Sequence, residues 1–122
     1  MPPLTTIYAL IDPINSKVFY VGATERPLKD RLRSHISATK DTMKGNIRKN
    51  LYISKLLAAG VKPLIQEIEV CVGYTQPRYA ERFWVYHYLI SNHPLVNISI
   101  LDYYQVRMKK LPKNRCLHTL QS

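Results

Sequence analysis

Five side chains of reactive type, Tyr8, Tyr20, Arg31, His35 and Glu81, stand at spacings that gather them if the chain follows its local pattern. Tyr8 and Tyr20 flank a run of turn chemistry, Asp12-Pro13-Ile14-Asn15-Ser16. A turn centred on Ile14 sets Tyr8 directly opposite Tyr20 in an antiparallel hairpin, and opposed residues share a face with Cβ atoms about 4.5–5.5 Å apart. The two phenols then converge on one surface, whereas a one-residue slip separates them onto opposite faces. Gly22 closes the second strand and, lacking a side chain, lets a ligand approach the backbone. Arg31 and His35 are four residues apart, on the same side of a helix, while Arg33 points elsewhere. Glu81 lies one turn into an aromatic-rich segment, and its carboxylate is a hard-oxygen ligand of the kind Mg²⁺ takes beside several waters. Phenols and imidazole move protons, a guanidinium offsets negative charge and a carboxylate holds a hard cation. Each residue alone has an ordinary explanation. A strand tyrosine packs its ring, an arginine is solvated, and Glu81 complements a helix N-terminus or pairs with Arg78 or Arg82.

The elements that must position these groups are legible from periodicity. Thr5 to Ile11 and Lys17 to Val21 are β-branched and aromatic, which predicts the hairpin. Pro27 opens a helix with Leu28, Leu32 and Ile36 on one face. Thr39 to Gly45 is polar and loop-like. Ile47, Leu51 and Leu57 mark a second helix that Gly60 stops. Leu64 to Val72 alternates as a third strand, at a sheet edge. Thr75-Gln76-Pro77 starts a third helix running to about Ser91, crowded with Phe83, Trp84, Tyr86 and Tyr88. Trp84 and Tyr88 read as core, His87 as packing within that helix, and His93 and His118 as surface residues. The order β-β-α-α-β-α predicts an α+β fold, a small three-stranded antiparallel sheet flanked by helices. Residues 1–100 form the domain and 101–122 a basic tail with a short helix from Tyr103 to Leu111.

The 122 residues fit one domain able to bury a core without disulfides. Cys71 and Cys116 have neither metal-site spacing nor a disulfide framework. No apolar run reaches the roughly 18 residues of a membrane span, and the N-terminus lacks signal-peptide character, so an intracellular protein is expected, in cytoplasm, nucleoid or nucleus. Lys and Arg number 18 against 8 Asp and Glu, a net charge of +10, with a pI near 9.8. Nine basic residues against two acidic ones fall between Arg26 and Lys55, and five against one between Ile98 and Ser122. Such clustering suits a polyanion, whose counterions are released when Lys and Arg replace them.

In this order the residues resemble the GIY-YIG nuclease family. Thr6-Ile7-Tyr8 stands for the first half of its name motif and Tyr20-Val21-Gly22 for the second. Arg31 with His35 resembles the family's arginine and the histidine or tyrosine four residues on. Glu81 resembles its metal-binding glutamate, and Asn97 its late asparagine. The likeness spans Thr5 to Ile98. Thr6 replaces the first glycine, at a strand position that suits a β-branched residue. Ala23 stands where some members carry lysine, which removes one phosphate contact. The resemblance implies hydrolysis of a DNA phosphodiester with one divalent metal, Mg²⁺ or Mn²⁺. It implies Tyr8 as primary base with Tyr20 as its hydrogen-bonding partner, the reverse assignment standing close beside it. A free phenol has a pKa near 10, and Arg31 and the metal are expected to favour its charged form. His35 accepts the phenolic proton or orients the tyrosine. Arg31 stabilises the pentacovalent phosphate, and Glu81 holds the metal that clamps the leaving oxygen. Asn97 orients a neighbouring group or the substrate.

Phosphate contacts are expected at Gly22, Arg33, Lys44, Arg48, Lys49, Lys109 and Lys110. They give affinity without sequence information. No attached DNA-reading domain is visible, so the expected partner is branched or non-specific DNA, with a homodimer or a protein partner as further sources of specificity. The alternative function is a DNA-binding module that keeps this fold with weak or no catalysis. An RNA- or ribosome-associated protein of unrelated fold would make the ordered matches coincidental.

Overall fold

The hairpin forms where β-branched and aromatic residues flank the turn, with strands β1 (Leu4–Asp12) and β2 (Lys17–Thr24). The structure, a computed structural model, describes residues 3–41, 43–73 and 76–97. Helix α1 (Leu28–Ser37), a short 3₁₀ turn at Ala38–Lys40, helix α2 (Ile47–Ala58), strand β3 (Leu64–Val72) and helix α3 (Gln76–Ile90) follow. The architecture is α+β, with a three-stranded antiparallel sheet in the order β2-β1-β3. β1 is central and β3 lies at an edge, as its alternation predicted. The tail from residue 98, including the helix read at Tyr103 to Leu111, lies outside the described residues. Among the described residues, no helix is long and apolar enough to cross a membrane.

The hairpin register differs from the simple expectation. At its tip Ile11 pairs with Val18 and Asp12 with Lys17, whereas beyond the shift Leu10 pairs with Tyr20 and Tyr8 with Gly22. Phe19 is the extra residue of this bulge, so Tyr8 and Tyr20 are diagonal neighbours instead of direct partners. Extending the tip register would have paired Tyr8 with Val21 and sent the two phenols to opposite faces. The bulge restores them to one face, with ring centroids 6.5 Å apart. The loop is held by Asp12, whose side chain accepts from the Ile14 N–H at 2.8 Å, and by Ser16 in the left-handed region at φ 60°. β2 also runs past Gly22 to Thr24, so Gly22 is inside the strand.

Both sheet faces are covered. Ile7, Ala9, Val21 and Cys71 pack with Val85 and Leu95 on one face, where Trp84 and Tyr88 of α3 close the cluster. Leu10 and Phe19 pack with Ile53, Leu56 and Val96 on the other, and Phe19 stacks on Tyr52 at 4.2 Å between centroids. The buried stripe of α2 consists of Lys49, Asn50, Ile53 and Leu56. Ile47 and Leu51, although apolar, lie outside this stripe, 39% and 50% exposed. Asn46 caps α2, accepting from the Lys49 N–H at 2.9 Å while its amide donates to the Val96 carbonyl at 2.9 Å. His93, expected at the surface, is half-buried and accepts the Val18 N–H through Nδ1 at 2.9 Å.

Candidate active site

Tyr8 is the centre of a polar cluster on the α1–α2 face of the sheet. Its ring is fully buried. Its hydroxyl lies 2.6 Å from His35 Nε2 and accepts the Arg31 Nε–H at 3.0 Å. Arg31 and His35 reach it together because they occupy successive turns of α1. Tyr20 joins from β2, its ring 5.4 Å from the His35 imidazole and edge-on to it. The conjunction of Tyr8, Tyr20, Arg31 and His35 is therefore present in the fold, assembled from two strands and a helix.

The reason for glycine at position 22 is steric and internal. Its backbone is not in the left-handed region, yet a Cβ there would stand 2.5 Å from the Tyr8 hydroxyl oxygen and 2.6 Å from its Cζ. The close approach expected of a ligand is made by the Tyr8 ring.

Burial dominates the electrostatics. It pushes the Tyr8 phenol up to about 12; the Arg31 hydrogen bond opposes this without overcoming it, and the charges of Tyr20 and Glu81 add to the rise. The Tyr20 phenol is also raised, by burial and then by Glu81, against the pull of Arg31. The expectation that Arg31 would make a ready phenolate is not met by the chain alone. His35 is depressed to about 3 by burial and by the neighbouring charges of Lys49 and Arg31, so it is neutral at pH 7.

Glu81 is half-buried on α3, and burial raises its carboxyl above the ordinary range. Its charge acts on both phenols. Among the described residues it has no hydrogen-bond or ion-pair partner, and neither Arg78 nor Arg82 pairs with it. No three His, Cys, Asp or Glu side chains cluster as a metal cage among the described residues. A single free carboxylate fits a hydrated Mg²⁺, which commonly takes one or two protein carboxylates and keeps its waters. Three groups around Tyr8 thus retain unused capacity among the described residues: the Tyr20 hydroxyl, the remaining Arg31 N–H groups and the Glu81 carboxylate.

Asn97 acts on the backbone. Its amide donates to the Val21 carbonyl at 2.6 Å and its oxygen accepts the Val21 N–H at 3.0 Å. Val21 lies between Tyr20 and Gly22 on edge strand β2, so Asn97 satisfies and fixes the strand segment that carries the second motif.

The expected phosphate contacts divide. Arg33 and Lys44 are 75% and 85% exposed, with only loose pairs to Asp30 and Asp41 at 3.4 and 3.8 Å, and Arg48 is exposed. Gly22 is covered by Tyr8. Lys49 is only 8% exposed and directs its ammonium inward, 2.9 Å from His35 Nδ1. It is the member of the cluster that sequence reasoning misplaced. Its signal was spacing: Lys49, Ile53 and Leu56 recur at i, i+4 and i+7, which sets a lysine on a buried helical stripe. Lys109 and Lys110 lie outside the described residues. Compared with protein-family models, with curated proteins and with solved structures, the chain matches none of them.

Proposed function

We propose that this chain is a metal-dependent endonuclease of the GIY-YIG type, hydrolysing DNA phosphodiester bonds. The observation that carries the reading is the gathering of Tyr8, Tyr20, Arg31 and His35, spread over 28 residues of sequence, around one buried phenol within electrostatic reach of an unpaired Glu81. Packing alone offers no reason to gather two phenols, an imidazole and a guanidinium, since buried polar groups cost stability unless all are satisfied.

In this reading the two tyrosines exchange the roles first assigned to them. Tyr8 is fully buried and its oxygen is already engaged, so it positions Arg31 and His35. Tyr20 is half-buried and its hydroxyl has no partner among the described residues, so it faces substrate and orients the attacking water. Arg31 spends one N–H on Tyr8 and offers the rest to the non-bridging phosphate oxygens, where negative charge grows. Glu81 would hold Mg²⁺ or Mn²⁺, which supplies Lewis-acid neutralisation of the phosphate and leaving oxygen when bound. Arg33, Lys44 and Arg48 contact the DNA backbone without reading sequence. An intracellular location is part of this reading, and specificity comes from branched structure, a second copy or a protein partner.

A second reading, a DNA-binding module with weak or no turnover, is favoured by one observation: both phenols are held above their ordinary pKa. Turnover separates the two. Supercoiled plasmid and branched DNA are incubated with the purified chain and Mg²⁺ or EDTA, beside Glu81→Ala. Metal-dependent nicking that the variant loses supports the nuclease. Binding without cleavage of any DNA by the folded wild type supports the module.

A further inference from the structure

We propose that Lys49 is a positioning residue of this cluster: by donating to Nδ1 of His35 it holds the imidazole in the Nε2–H tautomer, so that His35 donates to the Tyr8 oxygen instead of accepting its proton. The inference deepens the reading of this cluster as an active site, and its consequence for turnover rests on that reading.

The argument starts from donor inventory. An ammonium has three donors and no acceptor. Lys49 Nζ stands 2.9 Å from His35 Nδ1, so Nδ1 must present its lone pair. A neutral imidazole carries one N–H, and the hydrogen bond at one ring nitrogen fixes the proton on the other. The imidazole is neutral here, since burial and two flanking cations disfavour its charged form. The remaining N–H is therefore on Nε2, 2.6 Å from the Tyr8 hydroxyl oxygen. Arg31 Nε donates to the same oxygen at 3.0 Å. Both lone pairs of Tyr8 are then engaged by N–H donors, and its own hydrogen is left for a third direction. In this state Tyr8 cannot pass its proton to His35, and any negative charge that develops on the phenol oxygen is met by two donors already in place.

Burial and then the Arg31 charge lower the Lys49 pKa, and one contact opposes them. Lys49 Nζ lies 5.6 Å from the Tyr20 ring centroid, within the range at which an aromatic face attracts a cation. One contact set thus links Lys49 to both tyrosines, through the ring of Tyr20 and through His35 to Tyr8. A position at 8% exposure on the buried stripe of α2 with Ile53 and Leu56 would be filled more cheaply by methionine if packing were its only task.

The test is a long-range proton–nitrogen correlation spectrum of ¹⁵N-labelled protein at neutral pH, with the His35 signals assigned by their loss in His35→Gln. The wild type is expected as the Nε2–H tautomer. Lys49→Met should move the population to the Nδ1–H form, and Lys49→Arg, another pure donor, should retain Nε2–H. On plasmid DNA with Mg²⁺, Lys49→Met should lower kcat by about 10-fold or more, the range for partners that orient a histidine, with KM little changed. A wild type in the Nδ1–H form overturns the proposal, and so does a tautomer that ignores Lys49→Met. The wild-type spectrum decides alone if that variant fails to fold. A tautomer that responds as expected in a chain that cuts no DNA supports the positioning role and overturns only the nuclease reading. Cleavage with an unresponsive tautomer overturns the positioning role and leaves the nuclease reading intact.

Discussion

Alanine at position 22 should damage this protein far more than its single added methyl suggests. The new Cβ would stand 2.5, 2.6 and 2.9 Å from the Tyr8 hydroxyl oxygen, Cζ and Cε2. Ordinary carbon contacts begin near 3.5 Å, so the ring must retreat by about 1 Å. It has no free direction, being 0% exposed with its oxygen held by His35 and Arg31. Overpacking of this kind costs about 1–3 kcal/mol. Distorting a hydrogen bond to a charged group adds about 1 kcal/mol. A total of about 2–4 kcal/mol corresponds to a fall in Tm of roughly 10–20 °C for a domain of this size. On the nuclease reading, a displacement of about 1 Å within this cluster also costs about 100-fold in turnover. The assay is urea unfolding of Gly22→Ala, Tyr8→Leu and the double variant, with DNA cleavage measured on the same samples. Leucine ends before the positions of Cζ and the hydroxyl, so Gly22→Ala should cost little in the Tyr8→Leu background. Strict additivity, or a Gly22→Ala variant as stable as wild type, would refute the steric account of this glycine.

Three further outcomes are expected. His35 is depressed to about 3 in the folded chain against an ordinary 6.5. Below pH 6.5 the unfolded chain therefore binds the extra proton, and stability falls as pH falls, at up to about 1.4 kcal/mol per unit and about 1.6 kcal/mol in all between pH 6.5 and 5. Urea midpoints across this range should flatten in His35→Gln, with a residual slope from His93, which burial also depresses; an unchanged slope would contradict the assignment. Asn97→Ala orphans the Val21 N–H and carbonyl and should cost about 1–3 kcal/mol in urea unfolding, whereas a neutral result would mean that water replaces the amide fully. On the proposed nuclease reading, Arg48→Ala should weaken DNA binding at all sequences alike and lower the salt slope by about 1 in a fluorescence titration, with kcat at saturation preserved. A sequence-dependent loss would instead place Arg48 against base edges.

Much of the frame was legible because local rules decided it. The β-branched runs around Asp12 to Ser16 fixed the hairpin, Pro27 the start of the first helix, and Gly60, at φ 82°, the stop of the second. The alternation of Leu64 to Val72 was read with its boundaries because nothing competes with it. The buried face of α2 was not legible by apolarity, because its stripe carries Lys49 and Asn50 while Ile47 and Leu51 face out. Those polar residues find partners elsewhere in the chain: His35 meets Lys49, and the Lys44 carbonyl accepts from the Asn50 amide N–H at 2.7 Å, while the Asn50 Oδ1 stays buried without a partner among the described residues.

By itself the sequence determined which residue types were available and, through turn chemistry and periodicity, that Tyr8 and Tyr20 belong to one hairpin and Arg31 and His35 to one helix face. Tertiary structure alone decided how they meet. The bulge at Phe19 returned Tyr20 to the face of Tyr8 after the turn register had separated them, a choice set by which side chains the two sheet faces can bury. It also set Tyr8 inside and Tyr20 toward the surface, and it turned Lys49 from the expected DNA contact into a partner of His35. Local patterns report the conformation of a segment. Burial, which fixes the pKa of each phenol and the proton of each imidazole nitrogen, depends on what the rest of the chain lays over it.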